Sequence, residues 1–256
     1  GAFSIADILT VLYFNEMNID AKIPDSPDRD RLVLSKGHAS AALYAVLAEK
    51  GYIDKEELKT FRNIDSNLQG HPDMNKVPGV DMTTGSLGQG LSAANGMALS
   101  SKLDSRGYRV YCILGDGELQ EGQVWEAAMT AEKYQLDNLC VIVDANELQL
   151  TDSTMNVKGI NYNDIEQKFR AFGFQTVVID GHNIESIIRA LTIAEMTKGK
   201  PTAIICKTIK GKGVSFMENQ VDWHGKAPND EEYEMAVKEL KQEAEKIQEK
   251  IMNREV

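Results

Sequence analysis

Apolar residues along this chain follow two different periods, and the alternation between them sets the expected fold. Short continuous apolar runs at 31–34, 109–114, 139–143, 174–179 and 202–206 are rich in Val, Ile and Leu and are bounded by Gly, Asp, Asn or Pro, the pattern of strands buried on both faces. Between the later runs, apolar positions recur three and four apart over 122–134, 163–171 and 184–197, the period of amphipathic helices. Strands separated by helices of that length imply crossover connections and a parallel sheet with helices on both faces, an α/β fold.

Upstream of that regular part the pattern is more broken. Segment 6–14 places Ile8, Leu9, Leu12 and Tyr13 on one side of a helix, 39–50 is a small-residue-rich helix stopped by Gly51, and Asp54 caps a further helix through Phe61. Segments 24–30 and 69–89 read as loops, and 90–103 as a helix whose Ala, Ser and Gly content permits close backbone approach. The tail, 230–254, is dense in charge but repeats Val237, Leu240, Ala244, Ile247 and Ile251 at helical spacing. It is expected to form an amphipathic helix packed on the body, with a partner's surface as the second reading. With no internal repeat and no low-complexity linker, 1–256 reads as one domain, and the opening Gly1-Ala2-Phe3, without an initiator Met, suggests a beginning cut away.

Composition narrows the function classes. A chain of 256 residues can bury a full core, and a net charge of −11 without an extended basic stripe argues against a nucleic-acid surface. There is no apolar run long enough to span a bilayer and no secretory leader. Cys112, Cys140 and Cys206 lie in apolar runs without metal-ligand spacing, so buried free thiols and a cytoplasmic setting are expected.

The candidate chemistry lies where strands end. Asp116, in Gly115-Asp116-Gly117, follows one apolar run, and Asn146, in Asp144-Ala145-Asn146, follows the next, so both side chains project from the carboxyl end of the expected sheet. Two oxygen-bearing side chains there can share a hard cation such as Mg2+, and the helix starting near Gly122 would aim its N-terminal amides at the same anion. Gly-Asp-Gly by itself is more often a plain turn. The block as a whole, with Glu121-Gly122, Trp125-Glu126-Ala127 and Asp137-Asn138-Leu139 between its ends, resembles the thiamine diphosphate fingerprint of the transketolase family.

That resemblance implies a thiamine diphosphate-binding fold, with Asp116, Asn146 and the backbone carbonyl of Leu148 as the ligands of Mg2+, Ca2+ and Mn2+ being the other candidate ions. Gly115 and Gly117 then belong to the cofactor-binding turn. Ala145-Asn146 departs from the two consecutive Asn frequent in the family, but the ligand matches the second. A lone loop histidine is more often a surface residue. Yet Ser35-Lys36-Gly37-His38, Gly70-His71-Pro72 and Trp223-His224-Gly225 match family motifs in order, which implies that His38, His71 and His224 line the diphosphate and the reacting carbons as catalytic groups. Thr83-Thr84-Gly85-Ser86-Leu87-Gly88-Gln89-Gly90 matches a family loop with Ser86 in place of a frequent Pro, and puts Gly85 and Leu87 against the cofactor rings. Glu121, counted among the cofactor residues, corresponds to a Glu at the contact between the two cofactor-binding halves. Lys210-Gly211-Lys212-Gly213 lacks P-loop spacing and matches instead the family loop before the Trp-His element, and His182 is expected to be structural.

The resemblance spans essentially the whole chain but only the diphosphate-binding half of a transketolase. It implies transfer of a two-carbon ketol unit from a ketose phosphate to an aldose phosphate, together with a separate C-terminal pyrimidine-binding subunit, in a dimer or two-plus-two heterotetramer. The family's His-x-Gly-Gly segment, immediately upstream of Gly1, is absent from the sequence. The close variant is a fragment of a full-length transketolase; competing readings are half of a 1-deoxyxylulose 5-phosphate synthase, a first component of a 2-oxo acid dehydrogenase, and a non-catalytic assembly module that keeps the cofactor fold.

Overall fold

The structure, a computed structural model, describes residues 1–253. Its centre is a five-stranded sheet of β1 (Arg31–Leu34), β2 (Val110–Gly115), β3 (Leu139–Ala145), β4 (Gln175–Asp180) and β5 (Thr202–Lys207), in the order β1-β2-β3-β5-β4. Every pairing is parallel, and Val33, Cys112, Val141 and Ala203 lie side by side across four strands. All strand carboxyl ends therefore open on one edge of the molecule, which is where ligands bind in open parallel sheets.

Strand alternation divides the interior into two cores. Val110, Cys112 and Leu114 of β2 join Val141, Val143 and Ile205 under α3 (Gly90–Leu103), α4 (Gly122–Lys133) and α6 (Tyr162–Ala171). Tyr111 and Ile113 join Ile142, Ile204 and Cys206 on the other face, under α1 (Ala6–Val11), α2 (Ser40–Lys50) and α7 (Ile184–Met196). Each large aliphatic side chain so buried stabilises the fold by about 1.5–3 kcal/mol relative to exposure. The three cysteines are free and buried within these cores.

Several expected elements take a different form. The helix expected after Asp54 is a 3-10 turn, Lys55–Thr60, with an Asp54–Glu57 capping box; none of its residues is buried, so no apolar face holds a full α-helix there. α1 widens into a π-helical turn, Leu12–Glu16. A short helix, α5 (Thr154–Lys158), capped by Ser153, lies in what had no apolar period to announce it.

The tail forms α8 (Asp230–Met252), begun by an Asn229–Glu232 capping box. Ala236 packs with Val214 and Met217, and the Ser215 amide and hydroxyl donate to the Glu239 carboxylate at 2.6 and 2.7 Å. Leu240, 37% exposed, still lies against Gly213, but beyond it the helix stands clear of the body: Ile247 is 49% exposed and Ile251 60%. The expectation that the whole stripe packs on the chain's own core is thus corrected to its first three turns, which among the described residues meet the 213–226 segment while 241–252 is exposed; Arg254 lies outside the described residues. Among the described residues no helix is long and apolar enough to cross a membrane.

Candidate active site

A cavity of about 490 Å³ opens at the carboxyl edge of β1, β2 and β3. It is lined by His38, His71 and His224, by Gly85 and Leu87, by Gly115, Asp116 and Gly117, and by Asn146 and Leu148. Segments separated by up to 186 positions in sequence thus converge as expected from the motifs, since His38 and His224 stack with ring centroids 5.3 Å apart. Glu121 is the exception. It is exposed at the start of α4, lies outside the cavity, and packs beside Gly88, where an added Cβ would sit 2.8 Å from its own Cβ.

Asp116 follows directly on β2, and both of its oxygens accept backbone amides, Oδ1 from Gly117 at 2.8 Å and Oδ2 from Glu147 at 2.5 Å. No cationic side chain pairs with it among the described residues. Burial, and then the charge of Asp144, push its pKa up to about 7. A dry carboxylate held in that state is relieved by a divalent cation, and the neighbouring donors, the Asn146 amide oxygen and the carbonyl of Leu148, are the hard oxygens such an ion takes. The Leu148 amide already donates to Asn146 Oδ1 at 3.1 Å, which fixes the amide's orientation. The residues present fit a bound Mg2+ on the chemistry of this donor set.

Asp144, two residues before Asn146 on β3, is the fixed point of the floor. It is fully buried and accepts from Ser4 Oγ at 2.7 Å, Asn146 Nδ2 at 2.9 Å, Lys36 Nζ and Thr208 Oγ1. Burial alone would raise its pKa, but the Lys36 charge and these donors outweigh it and hold the group at about 2. Neither Lys36 nor Asp144 stood out in the sequence as a site residue. A lysine next to a strand end could have been flagged, because a charged residue so close to two apolar runs needs a partner.

On the opposite wall, Lys210 Nζ donates to His224 Nδ1 at 3.0 Å. Burial, followed by the charge of Lys36, lowers Lys210 to about 8. Burial, then Lys36 and His224, bring His38 to about 3; burial, then Lys210, brings His224 to about 4. Both imidazoles are therefore neutral at physiological pH, each able to donate one hydrogen bond and accept another. Gly85 holds φ at +138°, and a Cβ there would lie 2.8 Å from the His71 ring, so the loop backbone passes directly against that histidine. Arg62, Glu118 and the 149–151 stretch also line the cavity, and none of them carried a sequence signal.

His182 lies outside the cavity: its Nδ1 meets Asp7 at 2.8 Å and its Nε2 accepts the Ile209 amide at 2.8 Å. It ties the N-terminal helix to the loop carrying Lys210.

A family model described as the transketolase thiamine diphosphate binding domain matches residues 1–253. A 6-deoxy-6-sulfo-D-fructose transketolase subunit of Clostridium sp. (strain MSTE9) is 46% identical over 243 residues, 95% of this chain and 88% of that protein. Transketolase of Homo sapiens is 48% identical over 225 residues, 87% of this chain but 35% of the human protein. The solved structure of transketolase from Campylobacter jejuni matches with a TM-score of 0.86 at 36% identity, covering 93% of this chain and 38% of that one. The chain thus spans most of a subunit-length relative and little more than a third of a full-length transketolase.

Proposed function

The chain belongs to the transketolase family as its thiamine diphosphate binding domain, and on that premise we propose that it is the metal- and diphosphate-binding half of a split transketolase. The observation that carries this reading is Asp116, a buried carboxylate with no cationic partner, beside Asn146 at the floor of a cavity walled by three histidines. Asp116, Asn146 and the Leu148 carbonyl would hold Mg2+, with Ca2+ or Mn2+ as substitutes. Gly115 and Gly117 would give the diphosphate close access to backbone. Thiamine diphosphate, when bound, supplies the electron sink for breaking and making a carbon–carbon bond.

This chain's own residues bind, orient and handle protons. Neutral His38 and His224, stacked and backed by Lys36 and Lys210, offer hydrogen bonds to substrate hydroxyls without adding fixed charge. His71, pressed against Gly85, presents its ring from the opposite loop. Gly85 and Leu87 give the cofactor rings a flat backbone and an apolar contact. The proposed reaction moves a two-carbon ketol unit from a ketose phosphate to an aldose phosphate.

A separate pyrimidine-binding subunit completes the site in a two-plus-two assembly in the cytoplasm, with residues 1–256 contributing one domain. Similarity to a protein named as a transketolase subunit, of which this chain covers 88%, supports a split arrangement. The test is ketol transfer from xylulose 5-phosphate to ribose 5-phosphate with thiamine diphosphate and Mg2+, by this chain alone and with a candidate neighbouring-gene subunit. Activity only in the mixture is expected. Carbon dioxide release from pyruvate would sink the transketolase reading in favour of a 1-deoxyxylulose 5-phosphate synthase or the first component of a 2-oxo acid dehydrogenase.

A further inference from the structure

One buried charge at the cavity belongs to neither the expected metal ligands nor the histidine walls. Glu118 is 3% exposed and stands on the 3-10 turn Gly117–Gln120, just past Asp116. Its Oε1 accepts from the Ser35 hydroxyl and from the Gly88 amide at 2.9 Å, and its Oε2 accepts from the Gly115 amide at 3.1 Å. Those donors sit on three separate segments: the loop leaving β1 toward His38, the glycine loop carrying Gly85 and Leu87, and the end of β2 that presents Asp116. Gly88 holds φ at +86°, a left-handed conformation that keeps its amide turned to the carboxylate.

All three partners donate, so the acceptor-only carboxylate suits them and a neutral side chain of the same shape does not. In a glutamine the NH2 would occupy one oxygen's place. Set at Oε2 it faces the Gly115 amide, donor against donor; set at Oε1 it lets Ser35 reverse its hydroxyl but strands the Gly88 amide. Either way one buried amide loses its acceptor and one loop is released from the others.

We propose that Glu118 is a positioning residue that clamps these three loops into a single spacing, and thereby sets the affinity of the site for thiamine diphosphate. The inference rests on the cofactor reading given above. Its test uses the full chain, with thiamine diphosphate and Mg2+ binding measured by calorimetry, and with hydrogen exchange followed over 84–90 and 112–117 before cofactor is added. In Glu118→Gln we expect binding weakened by about tenfold or more, with faster exchange in one of the two segments. In Ser35→Ala, which keeps both amide bonds, we expect a smaller loss of about two- to fourfold.

A folded Glu118→Gln chain that binds the cofactor as wild type does, with unchanged exchange, would overturn the proposal. If that variant fails to fold, Ser35→Ala decides, and unaltered affinity there counts against it. If wild type itself takes up no thiamine diphosphate, the cofactor reading falls, and the clamp is judged by exchange alone: unchanged rates in the variant sink it, faster rates sustain it as a loop clamp.

Discussion

Two cavities of nearly equal size open at opposite ends of the same strands, about 490 Å³ at the carboxyl edge and about 510 Å³ at the amino edge. Both contain buried acids, so neither volume nor buried charge separates them. The difference lies in what the acids already hold. At the amino edge Asp30 accepts the amides of Asn18 and Arg109, each at 2.8 Å, and Asp81 accepts the Leu32 amide at 2.8 Å while pairing with Arg29. Those carboxylates staple the start of β1 and β2. Arg109 alone keeps two unpartnered nitrogens there, and its charge offsets Glu16 and Asp30 beside it. At the carboxyl edge no cationic side chain forms an ion pair with Asp116 among the described residues, Lys36 acting on it only from a distance, and two histidines are held neutral, so capacity remains for a ligand. A buried carboxylate without an ion-pair partner, set beside neutral histidines in a cavity, marks the site better than buried charge alone does.

That comparison can be broken by substitutions at either end. The largest effect is expected from Lys36→Met, which leaves Asp144 buried without its cation; urea unfolding should reveal a loss of about 3–5 kcal/mol. Next comes Asp116→Ala, for which Mg2+ affinity in calorimetry should fall by about 100-fold while the fold persists; unchanged affinity would remove Asp116 from the ligand set. At the amino edge Asp30→Ala strands two amides and should cost about 1–3 kcal/mol, yet leave thiamine diphosphate affinity of the folded chain as it was. Weakened cofactor binding in that variant would erase the distinction between the two ends.

Proton competition sharpens the same contrast. Because the Asp116 pKa is raised, its proton and a cation contend for one carboxylate, so Mg2+ affinity should drop by up to about tenfold for each pH unit below about 7 and level off above it. The sign is fixed by the ion binding only the deprotonated form. A pH-independent affinity between 5.5 and 8 would contradict the assignment. The smallest effect belongs to α8, where Ile247→Glu should change stability by no more than about 0.5 kcal/mol, since the side chain is 49% exposed and clear of either core.

What was legible in the sequence follows the range of the interactions involved. The strand and helix periods are local, and they located all five strands to within a residue or two. The placement of Asp116 and Asn146 at adjacent strand ends was legible because each is pinned there by its immediate neighbours. Glu118 was not: it reads as an exposed acid in a turn, and only contacts with Ser35 and Gly88, 83 and 30 positions away, bury it. Asp144 and Lys36 were hidden likewise, each dry because the other is, across 108 positions. The tail failed in the opposite direction. Its period correctly announces a helix with an apolar stripe, but periodicity says which face is apolar and nothing about what covers it.

The hydrogen bond from Asn146, one residue past the end of β3, to Asp144 within it joins positions two apart and keeps both side chains on one side. A single-residue deletion within β3 would turn that pair through half a revolution, exchanging anchor for hydrophobic wall. The stretch after Leu148 is held differently, by a Leu148–Ser153 bridge and by the Gln149 amide donating to Asp152, and it lines the cavity through Gln149, Leu150 and Thr151. Length changes should therefore be tolerated poorly on both sides of Asn146, but for different reasons: inverted parity within β3, and a displaced cavity wall beyond Leu148.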